Sequence, residues 1–85
     1  MGRYEIDIIA TRATLLVFCE VRTRQNAHFG MPAESVGSKK QESLRLGAAR
    51  WIEENEAYEH FEVRFDVAGV TLTPKLEVDY YVDAF

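Results

Sequence analysis

The sequence predicts a single α/β domain over residues 1–85, in which one main crossover helix covers a mixed β-sheet. Two observations define the sheet: one pair of β-branched and apolar runs opens the chain, and a second pair closes it. A third observation defines the helix, because apolar residues between the two pairs recur with the helical period. The predicted element order is therefore strand, strand, helix, strand, strand.

The first two predicted strands form an antiparallel hairpin. Residues 4–10, from Tyr4 to Ala10, alternate between polar and apolar side chains, and residues 15–23 contain the apolar run LLVF. The segment between them is short and polar enough for a tight turn.

The register of this hairpin decides whether its charged residues meet. If Ala10 pairs with Leu15, the charged side chains of both strands share one face, because side chains alternate with a period of two. Asp7 and Glu20 then become diagonal neighbours within reach of a shared ion. A solvated strand face, with Arg22 pairing Glu20, explains the same residues, and both interpretations are open on spacing alone.

The central helix is predicted over residues 39–55. Ser38 and Gln41 have the spacing of a capping box, in which Ser caps the helix and Gln bonds back to the cap. The preceding residues 25–37 contain Asn, Gly and Pro, which is typical of a loop. The predicted apolar stripe of the helix comprises Leu44, Ala48, Trp51 and Ile52.

Residues 61–72 and 76–82 are the third and fourth predicted strands, separated by the strand-breaking Pro74. Because the helix is long enough to cross the sheet, the third strand should lie parallel to the second. The second strand is then central, the first lies at a sheet edge, and the fourth is edge-like.

Composition and charge exclude several classes of protein. No apolar run approaches the roughly 20 residues of a membrane span, and a single Cys19 excludes an intramolecular disulfide, which fits a reducing cytoplasm. The net charge of −4 alone argues against a nucleic-acid ligand, but residues 22–50 carry a net charge of +4 and residues 51–85 one of −7. A basic segment can hold phosphates on an acidic protein, and ordinary surface charge is the alternative.

The motifs EIDIIA, LLVFCEVRTR and FGMPAESVGSKKQ, in this order, resemble the YraN family of small bacterial proteins. RFDVAGVTL and YYVDAF match the closing segments of that family in character and order. Its members are predicted endonucleases of the restriction-endonuclease-like, PD-(D/E)XK superfamily. The resemblance implies a restriction-endonuclease-like mixed sheet. It begins almost at Met1, so the chain is expected to be N-terminally truncated, without the family's N-terminal helix and first strand.

The resemblance implies a metal site at the hairpin. Asp7 and Glu20 match the two acidic metal ligands of the superfamily, the carbonyl of Val21 would complete the protein ligands, and Glu5 matches a family position beside them. The implied cofactor is Mg²⁺ or Mn²⁺, since Mg²⁺ binds one or two carboxylates together with waters and substrate phosphates.

Two further positions have catalytic roles implied by the resemblance. Arg22 stands where the superfamily has a lysine that orients the attacking water. Arginine can clamp a phosphate but cannot give up its proton at working pH. Gln41 matches a helix glutamine of related nucleases, although the capping box explains this residue equally well.

The implied activity is metal-dependent hydrolysis of phosphodiester bonds in DNA, including branched or other non-duplex DNA. One alternative is a catalytically inactive nuclease-fold module that binds nucleic acid or a protein partner. Another is a protein-interaction domain that uses the acidic residues 51–85. The candidate contacts to the DNA backbone are Arg22, Arg24, Lys39, Lys40 and Arg45.

A missing N-terminal segment would leave residues 4–10, from Tyr4 to Ala10, as an unpaired edge of the sheet. Exposed strand edges pair readily with other chains. We therefore expect this strand to pair or swap with a second copy in a homodimer, unless the chain is a fragment of a longer reading frame.

Overall fold

The computed structural model describes residues 6–25 and 36–85, which form a four-stranded sheet and one long helix. The strands lie across the sheet in chain order, from β1 to β4. The predicted fold class and element order are confirmed, and the mixed sheet with its single long helix is consistent with a restriction-endonuclease-like fold. The elements are β1 Ile8–Arg12, β2 Leu15–Arg24, α1 Ser38–Glu54, a short 3₁₀ helix Glu56–Tyr58, β3 Glu62–Thr71 and β4 Glu77–Tyr81.

The directions of the strands are also as predicted. β1 and β2 pair antiparallel, as do β3 and β4. β2 and β3 pair parallel, because α1 carries the chain back along the sheet before β3 begins. Within the described sheet β2 is internal, whereas β1 and β4 are its edges.

The predicted register of the first hairpin is wrong by two residues. Ala10 pairs with Val17 rather than with Leu15, because β1 extends to Arg12 and leaves a two-residue turn. Ala13 in this turn has a φ of 53°, a left-handed conformation found in the tightest hairpin turns. Because the shift is an even number of residues, every side chain stays on its predicted face.

The core lies between α1 and the sheet face that carries Phe18. Phe18 is 2 % exposed, meets Trp51 of α1 edge-on at a centroid distance of 5.9 Å, and stacks on Phe65 of β3 at 5.7 Å. The helix packs on this face through the predicted stripe, whose members are all buried or half-buried: Leu44, Ala48, Trp51 and Ile52.

The helix begins one residue earlier than predicted, and the predicted capping box is wrong. Gly37 is the N-cap, Ser38 lies inside the helix, and no described side chain caps the first turn. The Gln41 side chain instead donates a hydrogen bond from Nε2 to the carbonyl of Val36 at 2.8 Å. Val36 is buried against Leu44 and fixes the start of the helix, so Gln41 stabilises that start through a different bond.

Some predictions lie outside the described residues. These are Glu5, with the start of the first predicted strand, and most of the loop predicted over residues 25–37. Among the helices that the structure describes, none is long and apolar enough to span a membrane.

Candidate metal and phosphate site

Asp7 and Glu20 come together where β1 begins beside β2. The Asp7 side chain lies just before β1 and accepts a hydrogen bond from the backbone N–H of Val21, with 2.9 Å between Val21 N and Asp7 Oδ2. Val21 directly follows Glu20 in β2. The hairpin therefore brings the two acidic residues together, as predicted, despite the shifted register.

Glu20 is a buried acid that faces two cations. Its side chain is only 5 % exposed, because β2 places it on the face that α1 covers, two residues beyond Phe18. Arg22, on the same face, brings Nη1 within 3.2 Å of Glu20 Oε2. Lys40, from the first turn of α1, brings Nζ within 3.9 Å of the same oxygen. The strand and the helix thus each supply one positive charge to Glu20.

Burial raises the pKa of the Glu20 carboxyl, and the charges of Lys40 and Arg22 lower it without cancelling that effect. The charge of Asp7 raises the same pKa further. The ionised form of Glu20 is therefore incompletely compensated by the cations around it. An additional cation between the two carboxylates would stabilise both of them.

The two carboxylates fit a hard divalent cation better than a structural zinc ion. Mg²⁺ binds one or two carboxylates and fills its other positions with waters and phosphate oxygens, whereas structural zinc takes four protein ligands. Over residues 6–25 and 36–85, no group of three or more His, Cys, Asp or Glu side chains converges. Asp7 and Glu20 could therefore hold Mg²⁺ or Mn²⁺. Ligation by the carbonyl of Val21 stays a prediction, and Glu5 lies outside the described residues.

Lys39 and Lys40 are adjacent in the first turn of α1 but have different surroundings. Lys40 is 33 % exposed and pairs with Glu20. Lys39 is exposed and makes no ion pair with any acid in the described part of the chain. Of these two lysines, only Lys40 contacts the carboxylate cluster directly, through its ion pair with Glu20.

Arg24 and Arg45, two of the predicted DNA contacts, have partners inside the fold. Arg24 donates from Nε to Thr71 Oγ1 at 2.9 Å, which ties β2 to β3. The guanidinium carbon of Arg45 lies 5.3 Å from the ring centroid of Phe65 and 5.4 Å from that of Phe85. Gln41 likewise bonds at the helix start rather than at the carboxylates.

The sequence interpretation missed a second buried carboxylate, Asp66 of β3. It pairs with Cys19 of β2 and so lies on the sheet face that α1 does not cover. Arg64 donates to both of its oxygens, at 2.9 Å to Oδ1 and 2.8 Å to Oδ2, and the Tyr80 hydroxyl and the Asp83 N–H donate as well. The available signal was the RFD triplet, which places Arg and Asp two residues apart on one face of a strand.

The comparisons with known proteins agree on one family. The model of "Uncharacterised protein family UPF0102" matches residues 1–70. A UPF0102 protein from Dictyoglomus turgidum is 43% identical over 84 residues, which cover 95% of this chain and 70% of that protein. A UPF0102 protein from Rhodococcus opacus is 39% identical, and the match covers 99% of this chain and 73% of that protein. A UPF0102 protein from Alkaliphilus metalliredigens is 38% identical, and the match covers 95% of this chain and 70% of that protein. The resemblance to the YraN family is thereby confirmed, and the chain belongs to the uncharacterised protein family UPF0102.

Proposed function

We propose that this protein is a metal-dependent endonuclease that hydrolyses phosphodiester bonds of DNA, including branched or other non-duplex DNA. The observation that supports the proposal most is the contact of the Asp7 carboxylate with the strand segment that carries the buried Glu20. Arg22 and Lys40 lie beside the same pair. Phosphodiester hydrolysis needs this combination: carboxylates for a divalent cation, next to positive charges for a phosphate.

Asp7 and Glu20 would hold Mg²⁺ or Mn²⁺, with the carbonyl of Val21 and the side chain of Glu5 as further ligands. A divalent cation there supplies a polarised phosphoryl oxygen and a bound water of lowered pKa. The burial of Glu20 also reduces the screening of its charge by salt, which strengthens its attraction for a cation.

Arg22 would bind a non-bridging oxygen of the phosphate and stabilise the charge that develops there. Its guanidinium cannot accept a proton near neutral pH, so its role is electrostatic, unlike that of a lysine at the same position. Gln41 would support the site indirectly, through the helix start that its bond to Val36 stabilises.

The DNA backbone would contact Arg22, Lys39 and Lys40. Arg24 and Arg45, which already have partners in the fold, would add long-range attraction. Because these interactions are with phosphates, the affinity for DNA should fall steeply with salt concentration. A DNA substrate also supports a cytoplasmic location.

Metal-dependent stabilisation and DNA cleavage together test the proposal. Millimolar Mn²⁺ or Mg²⁺ should raise the Tm, because a ligand that binds only the folded state stabilises it. Fluorescent branched, duplex and single-stranded DNA should be cut only when the metal is present. Asp7→Asn should abolish both effects, whereas Glu53→Gln, which removes an exposed acid near the end of α1, should change neither. A Tm that neither metal raises contradicts the proposal.

The second candidate function is a catalytically inactive nuclease-fold module that binds nucleic acid or a protein partner. Arg22 in the lysine position favours it, because arginine cannot act as a proton shuttle at working pH. Binding of both metal and DNA without cleavage of any DNA form would favour this candidate over the nuclease.

We also propose that the first strand pairs with a second copy of the protein. In the described sheet β1 is an edge, and its Ile8 is 48 % exposed. Tyr4 and Glu5 of the predicted pairing segment lie outside the described residues. Light scattering should show a dimer. A monodisperse monomer with slow amide exchange over residues 5–9 would contradict an exposed edge.

A further inference from the structure

A single oxygen of Glu20, Oε2, faces both cations of the site, with Arg22 Nη1 at 3.2 Å and Lys40 Nζ at 3.9 Å. From this arrangement, and on the basis of the metal site in the proposed function, we infer that Lys40 is an exchangeable cation of the site. Lys40 neutralises Glu20 before a divalent cation binds. With a divalent cation bound at Asp7 and Glu20, the ammonium group of Lys40 would leave Glu20 and contact the phosphate of the substrate.

The two cations are held to Glu20 in different ways. Arg22 donates a hydrogen bond to Oε2 at 3.2 Å from the same strand. Lys40 approaches from the helix, and at 3.9 Å its Nζ is too far for a hydrogen bond, so the attraction is electrostatic. A lysine ammonium on a flexible four-carbon stem also reorients more easily than a planar guanidinium. Lys40 is therefore the cation that leaves Glu20 first.

Burial determines which partner of the Lys40–Glu20 pair moves. The Glu20 side chain is 5 % exposed and is held within β2, whereas the Lys40 side chain is 33 % exposed. The ammonium group of Lys40 can turn toward solvent while the carboxylate keeps its place. Displacement of Lys40 thus leaves the metal ligand in position.

The charges of the described residues favour such an exchange. Asp7 and Glu20 carry two negative charges there, and Arg22 and Lys40 carry two positive charges. Two further positive charges at these carboxylates would repel the Lys40 ammonium from Glu20. A phosphodiester brings one negative charge, which gives the displaced ammonium a new partner.

This role predicts that the single substitution Lys40→Gln strengthens metal binding and slows DNA cleavage. Lys40→Gln removes a competitor of the divalent cation, so the affinity for Mn²⁺ alone should increase about two- to fivefold, the effect of one partly exposed ion pair. The same substitution removes a positive charge from the phosphate, so the rate of DNA cleavage should fall about a hundredfold. A residue that only stabilises the fold would not tighten metal binding.

Lys39→Gln is the matched control, because it removes the same charge from the adjacent residue, which makes no ion pair with a described acid. Calorimetric titration with Mn²⁺, in the absence of DNA, measures the Kd of the wild type and of both variants. Lys39→Gln should leave the Kd within experimental error of the wild type and lower the affinity for DNA only by the loss of one phosphate contact. Lys40→Arg keeps the positive charge and should keep an Mn²⁺ Kd near that of the wild type.

Each outcome of the titration has a defined meaning. Tighter Mn²⁺ binding by Lys40→Gln alone, together with slower cleavage, supports the exchange. Equal Kd values for Lys40→Gln and Lys39→Gln, or weaker Mn²⁺ binding by Lys40→Gln with an unchanged circular dichroism spectrum, overturn it while leaving the proposed nuclease intact. A wild-type protein that binds no Mn²⁺ overturns both the nuclease and the exchange.

Discussion

Glu20 and Asp66 are buried carboxylates on the two internal strands of one sheet, and their surroundings have opposite effects on their charges. Burial raises the pKa of Asp66, but hydrogen bonds from Arg64, Tyr80 and the Asp83 N–H outweigh burial and place that pKa below its ordinary value. Glu20 has two cations, at 3.2 and 3.9 Å, but burial outweighs them and its pKa is raised. The two carboxylates also lie on opposite faces of the sheet.

This difference separates a carboxylate that stabilises the fold from one that costs folding free energy. The donors around Asp66 favour its ionised form, so its charge stabilises the native state. The surroundings of Glu20 disfavour its ionised form, and acids of this kind are concentrated at functional sites. Asp66 therefore belongs to the scaffold, and the surroundings of Glu20 support its proposed role as a metal ligand.

The largest expected effect is on the scaffold carboxylate. Asp66→Asn should lower the free energy of unfolding at neutral pH by about 3 kcal/mol, because it removes one partner of a buried ion pair. Because the folded pKa of Asp66 lies below its unfolded value, its contribution is full above the unfolded pKa, about 3.8, and is lost as the pH falls through the folded pKa. Urea unfolding followed by Trp51 fluorescence measures both effects.

Asp79→Asn is the control for this substitution. Its carboxylate is 52 % exposed and lies 3.9 Å from Arg24 Nη2, so its removal should cost less than about 1 kcal/mol. If Asp66→Asn and Asp79→Asn lowered the free energy of unfolding equally, the hydrogen bonds around Asp66 would not stabilise the fold. The contrast between Asp66 and Glu20 would then be wrong.

A smaller effect of the opposite sign is expected for the site carboxylate. Glu20→Gln should raise the Tm at neutral pH, because the glutamine side chain carries no charge that burial disfavours. The folded pKa of Glu20 lies above its unfolded value, so the wild type loses stability as the pH rises from below about 4.5 through the folded pKa. The gain in Tm should therefore be constant above the folded pKa and vanish below pH of about 4.5.

Metal binding completes the test of Glu20. Stabilisation by Mn²⁺ should be lost in Glu20→Gln even though the variant unfolds at a higher temperature without metal. A lower Tm for Glu20→Gln at neutral pH would remove the contrast with Asp66, because both carboxylates would then stabilise the fold.

The order of the elements could be predicted from the sequence because the apolar residues of each element recur with a clear helical or strand period. The apolar stripe of α1 and the alternation in the strands predicted every described strand and the long helix to within a few residues. The meeting of Asp7 and Glu20 could also be predicted, although the register was wrong. A shift of two residues leaves every side chain on the same face of the sheet. The prediction that Asp7 and Glu20 meet therefore depended on the alternation of side chains and not on the exact pairing.

The features that were missed depend on tertiary structure or on unusual backbone. Ala13 adopts a positive φ, which is uncommon for residues other than glycine, so the sequence predicted a tight turn but did not show that it is only two residues long. The cluster around Asp66 was missed because its donors come from β3, from β4 and from the turn after β4, which are brought together only by the sheet. The capping box failed because Gly37 rather than Ser38 is the N-cap, and the Gln41 side chain bonds to the carbonyl of Val36.

The smallest expected effects extend the same comparison to two cations. Arg45, whose guanidinium lies over Phe65 and Phe85, should act on the fold: Arg45→Gln should lower the free energy of unfolding by about 0.5–1 kcal/mol. Its effect on the slope of log affinity for DNA against log salt should be smaller than that of a direct phosphate contact, since the stacked guanidinium attracts DNA only at long range. Arg22→Gln should reduce that slope by about one contact. Fluorescence anisotropy with labelled DNA in Ca²⁺ at several salt concentrations measures both slopes. Equal reductions of the slope by Arg45→Gln and Arg22→Gln would show that Arg45 also contacts DNA. Arg45 would then not be a residue that acts on the fold alone.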